Sequence, residues 1–166
     1  MTYRVLTKEQ KQQWAIDGYL LLKNVLSKSE VKTLIKEIDR LYRKHASNSK
    51  GMDRRNLLPD SKVFIHLMDH PAIFDLVLDL MGPYLQVSMA EAIVRVPDSK
   101  FKGYIHTDGG QALRRIRVTE TSWPLQIKIQ YFLTDTSRLN CGNFTLFPGS
   151  HLRPFPEGDT PITVET

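Results

Sequence analysis

The chain has 166 residues, 41% of them hydrophobic, which is the size of one domain with a core large enough to stand without disulfides. Cys141 is the only cysteine; this excludes an intrachain disulfide, an all-cysteine zinc site and a secretory disulfide framework, and fits a reducing, cytoplasmic setting. The formal charge is +5, but no recognition motif or aromatic-basic interleaving accompanies it, so nucleic acid is not an expected partner; no leader pattern opens the chain and no run approaches the ~18 apolar residues of a membrane span.

The basic excess is concentrated early: residues 1–50 hold 11 Lys/Arg against 5 Asp/Glu, whereas 51–100 hold 5 against 7. Its lysines fall opposite an apolar stripe, as on a solvated helix face. In chain order, Thr7 and Gln10 have the spacing of a capping box, and Gly18 is placed to end the short helix that carries Trp14. "YLLLKNVL" reads as an apolar strand. Ser27 with Glu30 repeats the capping signal, and Val31, Leu34, Ile35, Ile38, Leu41 and Tyr42 lie on one face of a long helix. His45 sits at its carbonyl end, where an imidazole suits the helix dipole. "HASNSKGMDRRN" is polar and reads as a loop. Pro71 opens a further helix whose buried stripe is Ile73, Phe74, Val77, Leu78 and Met81, and "GP" at 82–83 stops it.

Past Gly82 the period changes from helical to extended. "YLQVSMAEAIVRV", "GYIHT", "PLQIKIQYFL" and "NFTLF" are strand candidates. Alternation in the third puts Leu125, Ile127, Ile129, Tyr131 and Leu133 on one face, expected to be buried, and Gln126, Lys128 and Gln130 on the other. A mainly helical 1–82 followed by a strand-rich 83–166 predicts a single α+β domain in which helices pack on a sheet sandwich or barrel.

The stretch "GYIHTDGG" carries the chemistry. On a strand, residues two apart project from one face, so His106 and Asp108 can converge on one point. An imidazole nitrogen and a carboxylate oxygen are two of the three protein ligands in the two-histidine, one-carboxylate facial triad that binds non-haem Fe(II) and leaves positions open for substrate and dioxygen. The same three residues also suit a strand end, with Asp108 before Gly109 as turn chemistry.

"GYLLLKNVLSKSEVKTLIKEI", "HPAIFDLVLDLMGP", "HTD" and "FLTDTSRLNCGNFTLFPGSH", in this order and at these separations, resemble the phytanoyl-CoA dioxygenase family. The resemblance runs from about Leu6 to about Pro154, and "CGNFTLFPGSH" is its most specific piece. It implies a double-stranded β-helix, a jelly roll of the cupin type, flanked by N-terminal helices. It also implies an oxidoreductase that uses Fe(II), 2-oxoglutarate and O2 to hydroxylate a small-molecule C–H bond, releasing succinate and CO2. By the resemblance His106 and Asp108 are the first two iron ligands, and Tyr131 lines the cosubstrate pocket, with Thr107 and Lys128 completing the cosubstrate set. Lys128 and Gln130 also read as sheet surface or as groups behind the ligands. A carboxylate at Asp108 favours oxygen transfer, since related halogenases place a small residue there and admit chloride.

The family's second histidine ligand and its 2-oxoglutarate-gripping arginine lie beyond the "PGSH" segment, whose own histidine, His151 here, is structural or at the pocket edge. The expectation is therefore that 1–166 is the N-terminal portion of a longer dioxygenase domain. The alternative is a non-catalytic cupin-like binding or scaffold domain that keeps the pair without completing the triad. Arg114, Arg115 and Arg117 form a basic loop after the pair, read either as solvated or as a grip on an anionic small-molecule substrate. His66 and His70 flank the break at Pro71 and read as a helix boundary with a surface histidine. Trp14 and Trp123 read as core or pocket wall.

Overall fold

The computed structural model describes residues 5–46, 51–97, 105–108, 115–116, 118–119, 121–153 and 160–166. Its elements in chain order are helix α1 (Lys8–Asp17), helix α2 (Lys28–His45), strand β1 (Gly51–Arg55), a 3-10 turn at Leu58–Asp60, helices α3 (Lys62–Ile65) and α4 (Phe74–Met81), and strands β2 (Glu91–Arg95), β3 (Phe144–Leu146) and β4 (Ile162–Val164). This is mixed α and β content, with helices first. Among the described residues the strands form two antiparallel pairs, β1 with β2 and β3 with β4. No described helix is long and apolar enough to cross a membrane.

Both helix starts follow from their caps. The Thr7 hydroxyl accepts the Gln10 N–H at 3.2 Å while the Gln10 side chain accepts the Thr7 N–H at 3.0 Å. Ser27 and Glu30 repeat the exchange at 3.2 and 2.7 Å, so each box satisfies N–H groups that the first turn leaves without partners. Gly18, at φ 77°, closes α1 by donating its N–H to the Trp14 carbonyl. In α2 the apolar stripe is buried where the 3.6-residue period places it, with Leu34 and Leu41 2% and 1% exposed. These two pack with Met52, Leu57, Phe64 and Ala92, so the core lies between α2, the β1–β2 ribbon and α3. Removing a side chain of this size from water stabilises by about 1.5–3 kcal/mol.

Several local expectations are corrected. "YLLLKNVL" forms no strand: Asn24 turns left-handed at φ 57°, a conformation that asparagine tolerates and a strand does not. In the polar "HASNSKGMDRRN", whose pattern predicts a loop, residues 47–50 lie outside the described set, but 51–55 are strand β1. Its polarity hides the strand because only Met52 is buried, opposite Val94, while Arg54 forms a two-armed ion pair with Asp60 at 2.8 and 3.0 Å. Helix α4 begins at Phe74 rather than Pro71, since the N–H groups of Ile73 and Phe74 both go to the His70 carbonyl in a preceding turn.

The second half carries fewer paired strands than its pattern predicts. Of "YLQVSMAEAIVRV" only Glu91–Arg95 pairs, and the described part of "GYIHT", residues 105–107, belongs to no strand. Residues 124–133 form none either, and Leu125 and Ile129 are 50% and 45% exposed instead of buried. Alternation decides which side chains share a face; a ladder also needs a second backbone about 4.8 Å away, and the described residues bring none alongside. "NFTLF" does form β3, paired with "ITV" of β4. Beside this pair, the side chain of Asn143 donates to the Thr136 carbonyl at 2.6 Å, and the Thr136 N–H donates to the Thr166 carbonyl at 2.8 Å.

Candidate functional site

His106, Thr107 and Asp108 follow one another without helix or strand, yet they keep the alternation expected of an extended chain. His106 and Asp108 are both open to solvent, and Thr107 between them turns inward. His106 Nε2 stands 3.4 Å from Asp108 Oδ1, with about half of each side chain exposed. That separation is long for a hydrogen bond between the two. It is close to the about 3 Å between neighbouring corners of an octahedron with bonds of about 2.1 Å. The two atoms are near enough to each other that one ion could be offered both.

A third residue converges on the same place. Lys128 Nζ lies 2.9 Å from Asp108 Oδ1, the oxygen that also faces the imidazole. Thr107 contributes a different feature: its hydroxyl oxygen is buried and makes no hydrogen bond. Such an orphaned polar group costs about 1–3 kcal/mol, a loss that a polar ligand reaching it would recover.

Tyr131 does not join this cluster through its hydroxyl, which donates to the Leu67 carbonyl at 3.2 Å. Burial pushes the phenol up to about 12, because the phenolate would lose its hydration. Lys128 and Tyr131 thus act in different directions, as their opposite parity on the segment suggests: the lysine reaches the His-Asp pair while the tyrosine ties the segment to the turn after α3.

The remaining candidates separate from the site. His151 packs against the end of α1, where a Cβ on Gly18 would overlap its imidazole, and the Gly149 N–H donates to the Asp17 carbonyl at 2.8 Å. The "PGSH" turn is thereby docked on the C-terminal turn of α1. His66 closes α3 as its C-cap. His70 is not a surface histidine: its side chain is largely buried, Nε2 meets Glu30 Oε1 at 3.4 Å, and Nδ1 accepts the Ala72 N–H at 3.3 Å. Trp123 is 67% exposed and so is not core. Arg115 is exposed, while Arg114 and Arg117 lie outside the described residues. Among the described residues no three His, Cys, Asp or Glu side chains gather closely enough to hold a metal.

The profile of the phytanoyl-CoA dioxygenase (PhyH) family matches residues 14–163. The chain belongs to this family, whose members are in general Fe(II)- and 2-oxoglutarate-dependent oxygenases. No curated protein and no solved structure matches it.

The resemblance puts Lys128 in the cosubstrate set and the alternation puts it on the face opposite Tyr131; what neither specifies is its 2.9 Å contact with Asp108 Oδ1.

Proposed function

We propose that the protein is an Fe(II)- and 2-oxoglutarate-dependent dioxygenase that hydroxylates a C–H bond of a small molecule. The observation that carries this reading is the 3.4 Å approach of His106 Nε2 to Asp108 Oδ1 on an open surface, in a chain of this family. Bound iron would supply the oxidative decarboxylation of 2-oxoglutarate to succinate and CO2, coupled to insertion of oxygen from O2 into the substrate.

The chain's own groups prepare that chemistry. His106 offers the lone pair of Nε2 and requires a neutral imidazole to do so. Asp108 would add a carboxylate oxygen and its negative charge beside that imidazole, a donor that favours oxygen transfer over halogenation. Thr107 offers its unpartnered hydroxyl, and Lys128 a positive charge, to the dianionic cosubstrate; Tyr131 shapes the neighbouring wall while its hydroxyl holds the segment to Leu67. Arg114, Arg115 and Arg117, close in sequence to the pair, favour an anionic small molecule as substrate. A jelly roll is the scaffold of this reading, within a single domain. A reducing, cytoplasmic setting fits the free and exposed thiol of Cys141.

The test is succinate release from 2-oxoglutarate with Fe(II) and O2, compared between the protein and Asp108→Ala. The reading expects slow turnover even without substrate, abolished by the substitution. Equal succinate from both would overturn it, and absence of succinate from both would favour a non-catalytic cupin-like domain.

A further inference from the structure

We propose that Lys128 is the resident cation of the metal position, so that loading a divalent ion is an exchange in which the ammonium leaves Asp108 Oδ1. The inference rests on the reading of His106 and Asp108 as metal ligands and goes beyond it to a residue that competes with the metal. A basic group next to a metal-binding carboxylate can act in two opposite ways. Held on the outer oxygen, it orients the ligand, and such supporting contacts are typically worth 10–100-fold in metal affinity. Held on the inner oxygen, it occupies the place of the ion.

The geometry selects the second. Lys128 Nζ is 2.9 Å from Oδ1, and His106 Nε2 is 3.4 Å from that same Oδ1. The ammonium and the imidazole therefore share one carboxylate oxygen, the atom through which Asp108 would offer itself to an ion held with His106. A divalent ion there would stand close to the ammonium, and like charges at that range repel. Lys128 is nearly half exposed on a flexible four-carbon stem, so it can withdraw without disturbing the core. Having withdrawn, it remains beside the site as a positive charge that a carboxylate arriving at the metal can meet.

The size of the competition is set by the ion pair that must be broken. For a pair exposed to this degree, removing the competitor tightens metal binding by up to about fivefold. The experiment is an anaerobic titration of Mn(II), followed by electron paramagnetic resonance of the free ion, on the whole protein and on Lys128→Gln, Lys128→Arg and Asp108→Ala. Tighter Mn(II) binding in Lys128→Gln, with Lys128→Arg near the unsubstituted protein, is the expected result. Unchanged or weaker binding in Lys128→Gln, with the unsubstituted protein still binding Mn(II) through Asp108, would overturn the exchange and leave the ligand pair standing. Affinity in the unsubstituted protein that Asp108→Ala does not reduce would sink the ligand assignment itself. Circular dichroism of each variant establishes that the comparison is between folded proteins.

Discussion

The α2 region and the segment from Ile105 to Leu133 are built on different principles. Around α2, leucines sealed from water meet a strand pair and a short helix, and apolar packing dominates the arrangement. Around the site, Leu125 and Ile129 face solvent and polar links prevail, Lys128 to Asp108 and Tyr131 to Leu67, with Leu133 at the segment's end packed against the core. The lesson is a division of labour. Stability resides where apolar area is buried, and the proposed chemistry falls where charged groups are left open to exchange partners.

The largest effect that can break this division is functional. Asp108→Ala should abolish succinate formation while leaving the thermal midpoint nearly unchanged, since the residue is exposed and its loss touches no core contact. Calorimetry alongside the turnover assay checks both halves. A large loss of stability would mean that the site region is part of the packed frame after all.

The converse substitution is next in size. Leu41→Ala or Leu34→Ala should cost about 2–5 kcal/mol in urea unfolding, the range for a leucine removed from a sealed core. Leu125→Ala should stay within about 0.5 kcal/mol. Comparable losses at Leu41 and Leu125 would erase the contrast between the regions.

Much of the packed region was legible in the sequence because its signals are local. Two capping boxes, Gly18, and the apolar stripe of α2 each depend on residues within one or two turns, and each is found where the pattern puts it. Strand β1 was hidden because its single buried residue, Met52, sits among charges, of which Arg54 finds its partner Asp60 outside the strand. Residues 124–133 misled in the opposite sense: a good alternation predicted a buried face, but burial requires a partner that periodicity does not name. At the site, the spacing of His106 and Asp108 was readable, whereas the Lys128 contact bridges 20 positions of sequence and the partner of Tyr131 lies 64 positions away. No short pattern encodes either.

Smaller effects sharpen the boundary between the regions. Gly18→Ala should cost about 1 kcal/mol or more, because alanine resists φ 77° and its methyl would displace His151, loosening the "PGSH" turn from α1. Tyr131→Phe should cost about 1 kcal/mol at neutral pH by removing the bond to Leu67. The same variant carries a pH signature. With the folded phenol pushed up to about 12 from an ordinary 10, the stability tied to its neutral form is complete below pH 10 and is lost as pH rises toward 12. Phenylalanine cannot ionise, so the alkaline decline should flatten in the variant, as read by unfolding between pH 9 and 12.

At the acid end, the Arg54 guanidinium beside Asp60 holds that carboxyl below its usual range. The stability this pair contributes is present above the ordinary carboxylate pKa and lost as pH falls through the lower folded value. Asp60→Asn should therefore reduce the steepness of acid unfolding of the β1 region, followed by amide exchange.

The account stands most directly on one property, that His106 and Asp108 together bind a divalent ion. An anaerobic Co(II) titration followed by visible absorption, run on the whole protein and on His106→Ala and Asp108→Ala, tests it. The account predicts one bound cobalt whose spectrum is lost in both variants. A cobalt spectrum that survives both substitutions, or none in the unsubstituted protein, would contradict it.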